Sequence, residues 1–237
     1  MAGHSKWANI KHRKAAQDAK KGKIYTQYVR TITLAARDGG GDLEMNSTLR
    51  MIVQKAKKAG VPNDKIDRAI KVGTGEIKGE MELTEVLYEG YGPGGVAILV
   101  QTLTDNTNRT VANVRHIFSK YGGSMGTSGC VAYLFDYKGV FIFVDAEKEK
   151  VEECAIMNGA EDIFEEDGTI VVYTSRDDYR DFTKAVLQSG LEPEDFSLSY
   201  VPQMTADISE EDNAKVSRLI EMLEEDDDVQ NVYVNLH

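Results

Sequence analysis

Residues 140–201 read VFIFVDAEKEKVEECAIMNGAEDIFEEDGTIVVYTSRDDYRDFTKAVLQSGLEPEDFSLSYV. The apolar, β-branched run Val140–Val144 predicts a strand, and Glu147–Asn158 a helix. Asp162–Glu166 and Thr169–Thr174 form the arms of a hairpin around Asp167-Gly168, a dipeptide suited to tight hairpin turns. Arg176–Ser189 predicts a second helix and Phe196–Val201 a fourth strand. The order is βαββαβ, that of a ferredoxin-like unit.

Strands and helices continue on both sides of this unit. Before it, Leu83–Gly90 and Val96–Leu103 read as strands joined through Tyr91-Gly92-Pro93-Gly94-Gly95. Thr107–Tyr121 reads as a helix with Val111, Val114, Ile117 and Phe118 inward, and Val131–Tyr137 as a further strand. After it, Ser209–Glu225 is a helix that buries Val216, Leu219, Ile220 and Leu223. Ser209 followed by Asp212 resembles a capping box. Val229–Asn235 is the last strand. This final helix and strand lack a sheet of their own, so the economical arrangement returns them to the strands of 83–137.

Residues 1–75 have a different character. From Ala15 the pattern turns helical: Ile24, Tyr28, Ile32 and Ala35 share one face, and Lys23, Arg30 and Arg37 recur at intervals of seven on the other. Gly39-Gly40-Gly41 ends that helix. A second helix starts at an Asn46 or Ser47 cap, with Leu49, Ile52, Val53 and Ala56 inward and Arg50, Gln54, Lys55 and Lys58 outward. A third follows Pro62, with Asn63 as cap, and ends at Gly73 and Gly75. Residues 73–83 read as a linker. The expected fold class is therefore α+β multidomain. An N-terminal three-helix bundle (1–75) precedes two α/β domains. The middle one is discontinuous (83–138 plus 203–237), and the ferredoxin-like one (139–202) is inserted in it.

Charge divides the chain along the same line. The 237 residues sum to −11, but residues 1–75 hold sixteen Lys and Arg against six Asp and Glu, a balance of +10. The rest holds twelve against thirty-three, or −21. One part seeks phosphate and the other repels it. The density peaks in residues 1–37, with nine cations to one acid. Lys6, Lys11, Arg13 and Lys14 stand among His4, Ser5, His12 and Trp7, and Lys20, Lys21, Lys23, Arg30 and Arg37 follow. Lysine and arginine supply counterion-release affinity for phosphate. Trp7 could stack on an unpaired base or pin the arm to the bundle. The nucleic-acid-binding candidates are these cations, His4, Ser5, Trp7 and His12, with Lys55 and Lys58 of the second helix.

The opening MAGHSKWANIKHRKAAQDAKKGKIYTQ closely resembles the YebC/PmpR family, which includes a mitochondrial translational activator. The resemblance runs on through Gly60-Val61-Pro62, YEGYGPGGVAILV and TDNTNRT and so spans essentially the full length. Gly3, His4, Ser5, Lys6, Trp7, Lys11, Arg13 and Lys14 are the positions that carry it in the arm. It implies a helical domain followed by two α/β domains, and a cytoplasmic nucleic-acid-binding regulator of gene expression. Members are described as DNA-binding transcriptional regulators; others associate with the ribosome and assist synthesis through proline-rich stretches.

Other signals are weaker. Gly90–Gly95 lacks the Lys-Ser/Thr of a phosphate loop and opens no helix, so a strand connection is the plain reading. Asp105–Thr110 is best read as a helix cap, although Arg109 near a helix start opposes the dipole. Tyr121–Gly129 reads as a flexible loop able to order on a partner. His116 with Cys130 lacks an orienting third group. The acidic run Glu224–Asp228 either solvates a helix end or contacts a basic protein. Cys130 and Cys154 show no metal-ligand spacing and read as thiols of a reducing compartment. No stretch approaches the roughly twenty apolar residues of a membrane span.

The sequence thus points to a DNA-binding regulator of transcription, without catalytic function, cofactor or metal. It is expected to be cytoplasmic, off the membrane, and a monomer or weak dimer. Its nucleic acid is DNA or ribosomal RNA. The helices lack an obvious helix-turn-helix signature, which keeps a ribosome-bound translation factor open. A protein-interaction scaffold is the alternative from another class.

Overall fold

The computed structural model describes residues 21–77, 83–166 and 168–236. They separate into two compact units, one of residues 136–201 and the other of the segments on either side of it. The molecule is α+β, with N-terminal helices and antiparallel sheets.

In the larger unit, helices α1 (Lys21–Gly39), α2 (Ser47–Lys58) and α3 (Asn63–Gly73) come first. Their shared core is Ile32, Ala36, Leu49, Val53, Ala56, Val61, Ile66 and Ala69. The α1–α2 turn is fastened by Asn46. Its side chain caps α2 by accepting from the Leu49 N–H at 3.0 Å and donates to the carbonyls of Ala35 and Gly40 at 2.9 and 2.8 Å. At the next turn the expected Asn63 cap is replaced: Pro62 takes the cap position and Asn63 is the first helical residue. The Pro62 carbonyl receives the N–H groups of Lys65 and Ile66.

Strands β1 (Thr84–Tyr91), β2 (Ala97–Thr104), the two-residue β3 (Ser124–Met125) and β8 (Val229–Val234) form a sheet in the order β3-β1-β2-β8. The terminal strand β8 lies antiparallel beside β2, with Ile98 opposite Val234. Helices α4 (Thr107–Lys120) and α7 (Glu210–Glu225) supply Val114, Phe118, Val216, Leu219 and Leu223 to one apolar core with Ile98, Val100, Val232 and Val234. Asn106 caps α4 through the Arg109 N–H at 3.0 Å, and Ser209 caps α7 through the Asp212 N–H at 3.1 Å.

The smaller unit contains most of β4 (Phe135–Val144), α5 (Lys148–Met157), β5 (Ala160–Glu166), β6 (Thr169–Thr174), α6 (Tyr179–Ser189) and β7 (Asp195–Pro202), with sheet order β5-β6-β4-β7. Phe141 at its centre meets Phe182 edge-on, with ring centroids 4.7 Å apart, and Tyr179 at 5.4 Å. The two strands expected at Val131–Tyr137 and Val140–Val144 are one: β4 runs unbroken through Gly139, while Ala132–Leu134 is a 3-10 turn. Gly139, between the two expected strands, marks a close approach. A Cβ there would lie 2.2 Å from Thr174 Oγ1 and 2.7 Å from Tyr179 Cδ2. A lone glycine in a strand often means this. Helix α6 likewise starts at Tyr179 and not at Arg176, because Ser175 and Asp178 close a turn through hydrogen bonds of 2.7 and 3.0 Å. Among the described residues no helix is long and apolar enough to cross a membrane.

Candidate nucleic-acid interface

The spacing of seven does place Lys23, Arg30 and Arg37 along one side of α1, opposite the buried Ile32 and Ala36. That side meets the body of the same unit. Lys23 donates to the carbonyls of Glu224 and of Asp226, the latter at 2.6 Å. Gln27 donates to the Val229 carbonyl at 3.3 Å. Arg30 donates to the Asp227 carbonyl and to Asp228 Oδ1, 3.1 Å away. Arg37 reaches the Leu83 carbonyl at 3.2 Å and its neighbour Asp38 at 3.3 Å. The acidic turn 224–229 thus faces the cationic side of α1. Oriented carbonyls at the end of α7 carry partial negative charge, so the cations meet the turn's backbone as well as its carboxylates.

Asp228 is the centre of this contact, with its side chain only 3% exposed. Oδ2 accepts from Arg109 Nη2 and from the Thr110 hydroxyl, both at 2.7 Å, and lies 3.2 Å from Thr104 Oγ1. Burial would push this carboxyl up. The hydrogen bonds from Arg109 and Thr110 and the charges of Arg109 and Arg30 outweigh burial and hold it below the ordinary carboxylate value. One buried carboxylate therefore joins α1, the start of α4 and the strand end at Thr104. This also explains an arginine against the α4 dipole: Arg109 pairs with Asp228 and with Asp105 at 2.9 Å.

The remaining cations of the bundle lie on α2 and α3. Lys55, Lys57 and Lys58 fill the last turn of α2, where positive charge suits the helix dipole. Lys55 is half-buried and Lys58 exposed. Lys65, on α3, sits over the Tyr25 ring with its Nζ 5.8 Å from the centroid. Lys21 opens α1. His4, Ser5, Lys6, Trp7, Lys11, His12, Arg13, Lys14 and Lys20 lie outside the described residues.

A second buried carboxylate organises the loop after β3. Glu89, 4% exposed, accepts from the backbone N–H groups of Gly129, Val131 and Ala132 at 2.5, 2.8 and 2.8 Å. Burial raises its carboxyl, but the three donors outweigh it and lower the value overall. Tyr91 donates to the Cys130 carbonyl at 2.9 Å. Within the stretch Tyr121–Gly129, the Gly126 N–H donates to the Glu89 carbonyl at 2.8 Å and the Gly129 N–H to its carboxylate; Cys130, Val131 and Ala132 just beyond it supply the other contacts. Burial and the Glu89 charge push the Cys130 thiol up, away from a reactive thiolate. His116 is exposed on α4, and no hydrogen bond joins it to Cys130 among the described residues. Gly90–Gly95 is a strand connection built on the 3-10 turn Pro93–Gly95. Among the described residues no three His, Cys, Asp or Glu side chains gather as a metal-ligand set.

Sequence comparison assigns the two parts separately. Residues 5–76 match a sequence model of the TACO1/YebC protein N-terminal domain, and residues 83–236 one of the TACO1/YebC second and third domains. Curated relatives called "Probable transcriptional regulatory protein" are similar over the whole length. One from Acidithiobacillus ferrooxidans is 52% identical over 99% of this chain and 94% of its own. One from Syntrophotalea carbinolica is 51% identical over 99% and 95%. A crystal structure of a conserved hypothetical protein from Aquifex aeolicus superposes with a TM-score of 0.83, at 41% identity, covering 93% of this chain and 91% of that one.

Proposed function

Because the chain belongs to the TACO1/YebC family, we propose that it is a nucleic-acid-binding regulator of transcription, with the helical module as its phosphate-binding part. The observation that carries this reading is the charge partition: +10 over residues 1–75 against −21 over the rest. The relatives' shared description as transcriptional regulatory proteins agrees with it. The working surface is the arm, with His4, Ser5, Lys6, Trp7, Lys11, His12, Arg13 and Lys14, continued by Lys20 and Lys21 and flanked by Lys55 and Lys58 of α2. Lysine and arginine release counterions when they meet phosphate. The acidic body sets the module's orientation and keeps nucleic acid to one side of the molecule.

The body is read as two domains, residues 83–138 with 203–237 and residues 139–202. The strand order β5-β6-β4-β7 and the βαββαβ succession support a ferredoxin-like insertion. We assign the protein no catalytic function: its two buried carboxylates, Glu89 and Asp228, are engaged by backbone N–H groups, by arginines and by threonine hydroxyls, and the thiol beside Glu89 is pushed away from its reactive thiolate form. It acts in the cytoplasm, as a monomer or weak dimer.

Ultraviolet crosslinking of the full chain in cells, followed by sequencing of the bound nucleic acid, tests this reading. Recovery of promoter DNA supports it. Recovery of ribosomal RNA, with the protein co-migrating with ribosomal particles in a sucrose gradient, assigns it to translation instead. Stoichiometric protein complexes that resist nuclease and yield no nucleic acid identify a scaffold.

A further inference from the structure

Three of the four polar side chains that α1 points at the body end on one short segment, residues 224–229. Its sequence, Glu224-Glu225-Asp226-Asp227-Asp228-Val229, is the densest acidic run in the chain. We propose that this turn is an internal competitor of phosphate: it occupies Lys23 and Arg30 in the free protein, and a nucleic-acid backbone displaces it. The proposal rests on the nucleic-acid reading above and adds to it a closed and an open state of the module.

The geometry supports a contact that opens. Lys23 and Arg30 are part-buried, and each meets two oxygens of the turn. Carbonyl and carboxylate oxygens at hydrogen-bond distance offer these cations what phosphate oxygens would. The apolar cores on the two sides are separate clusters that share no residue. Lys23, Gln27 and Arg30 meet the turn through hydrogen bonds and one ion pair, bonds that the oxygens of a phosphate backbone can replace. Release costs the turn its bonds from Lys23, Gln27 and Arg30 and so loosens it, but leaves its buried carboxylate paired. Asp228 keeps Arg109 and Thr110 when Arg30 leaves, so opening strands no buried carboxylate. Arg30 supplies only one of its bonds, to Oδ1. Lys23 and Arg30 continue the cationic run of Lys20 and Lys21, so a phosphate backbone following the arm onto α1 meets them next.

Two measurements on the full chain decide the matter. The first compares the wild-type protein with Asp228→Asn for binding to a short mixed-sequence DNA duplex over a range of salt. The variant removes the carboxylate charge facing Arg30. The competitor account expects tighter binding at each salt concentration with a log–log slope close to that of the wild type, because both proteins engage the same phosphates once the turn is displaced. Equal or weaker binding by a variant with the wild-type circular dichroism spectrum overturns it. The second needs no variant and covers the case in which Asp228→Asn does not fold. Hydrogen exchange of the wild-type protein is followed with and without saturating duplex. The amides of Leu103, which donates to the Asp228 carbonyl, and of Asp228 and Val229, which bond to Asp226, report on the turn. Faster exchange there on adding DNA supports displacement; unchanged or slower exchange contradicts it. If the wild-type protein binds no DNA, the function proposed above fails. The competitor account then still stands or falls on whether Asp228→Asn gains binding.

Discussion

A carboxylate gripped by three backbone N–H groups is lost as an acceptor when it takes up a proton. Glu89 is in that position, and its folded value lies below the ordinary 4.5. Asp228, ringed by Arg109, Thr110 and Arg30, lies below the ordinary 3.8. For groups shifted down, the stabilisation is complete above the unfolded value and is lost as pH falls through the folded one. The melting temperature should therefore hold at neutral pH and fall steadily below pH 4.5, as Glu89 and Asp228 become protonated. Glu89→Gln should cost about 1–3 kcal/mol at neutral pH, because an amide cannot satisfy three donors, and should flatten the acid limb of the melting curve. An unchanged acid limb in that variant would assign the acid sensitivity to other groups. Neither role is legible in the sequence. Glu89 takes its donors from residues 129–132, forty or more positions away, and Asp228 sits in an acidic run that looks solvated. Arg109 alone gave a signal, as a cation at the wrong end of a helix.

At the scale of elements, local chemistry was readable at several helix starts. Asn106 and Ser209 cap α4 and α7 as their types and positions predict. Asn46 does more than cap, because its amide also closes the carbonyls at the end of α1. Asn46→Ala should therefore cost about 2 kcal/mol in urea denaturation, at the upper end for a cap. Asn46→Asp, which keeps the acceptor and loses the donors, should recover part of that. Gly139 lies between the two strands expected from sequence, and a glycine looks alike whether it turns a chain or lets another side chain approach. Gly139→Ala should cost about 1–3 kcal/mol by forcing apart β4, Thr174 and Tyr179. A neutral effect in urea denaturation would show that Tyr179 can yield. The Pro62 cap was missed because asparagine is the commoner cap; here Asn63 is the first helical residue, and the proline carbonyl receives the N–H groups of Lys65 and Ile66.

Over the whole molecule, periodicity identified which faces of the first helix are apolar and which are charged, but not what the charged face meets. Lys23, Arg30 and Arg37 share a side as read, and that side lies on the body through residues 224–229 and Leu83. A charged stripe reads alike in sequence whether it meets solvent, phosphate or an acidic turn of its own chain, because all three select lysine and arginine. The charge partition between residues 1–75 and the rest needed no structure to be seen, and it is the main support for nucleic-acid binding. The most direct measurement is therefore a salt titration of binding to a DNA duplex. It compares the full chain with a variant in which Lys11, Arg13 and Lys14 are replaced by glutamate. With five phosphates engaged, the wild-type log–log slope should be about −4 to −5, and the variant should lose binding while keeping the wild-type melting temperature. Unchanged affinity in the variant would contradict the assignment of nucleic-acid binding to the arm.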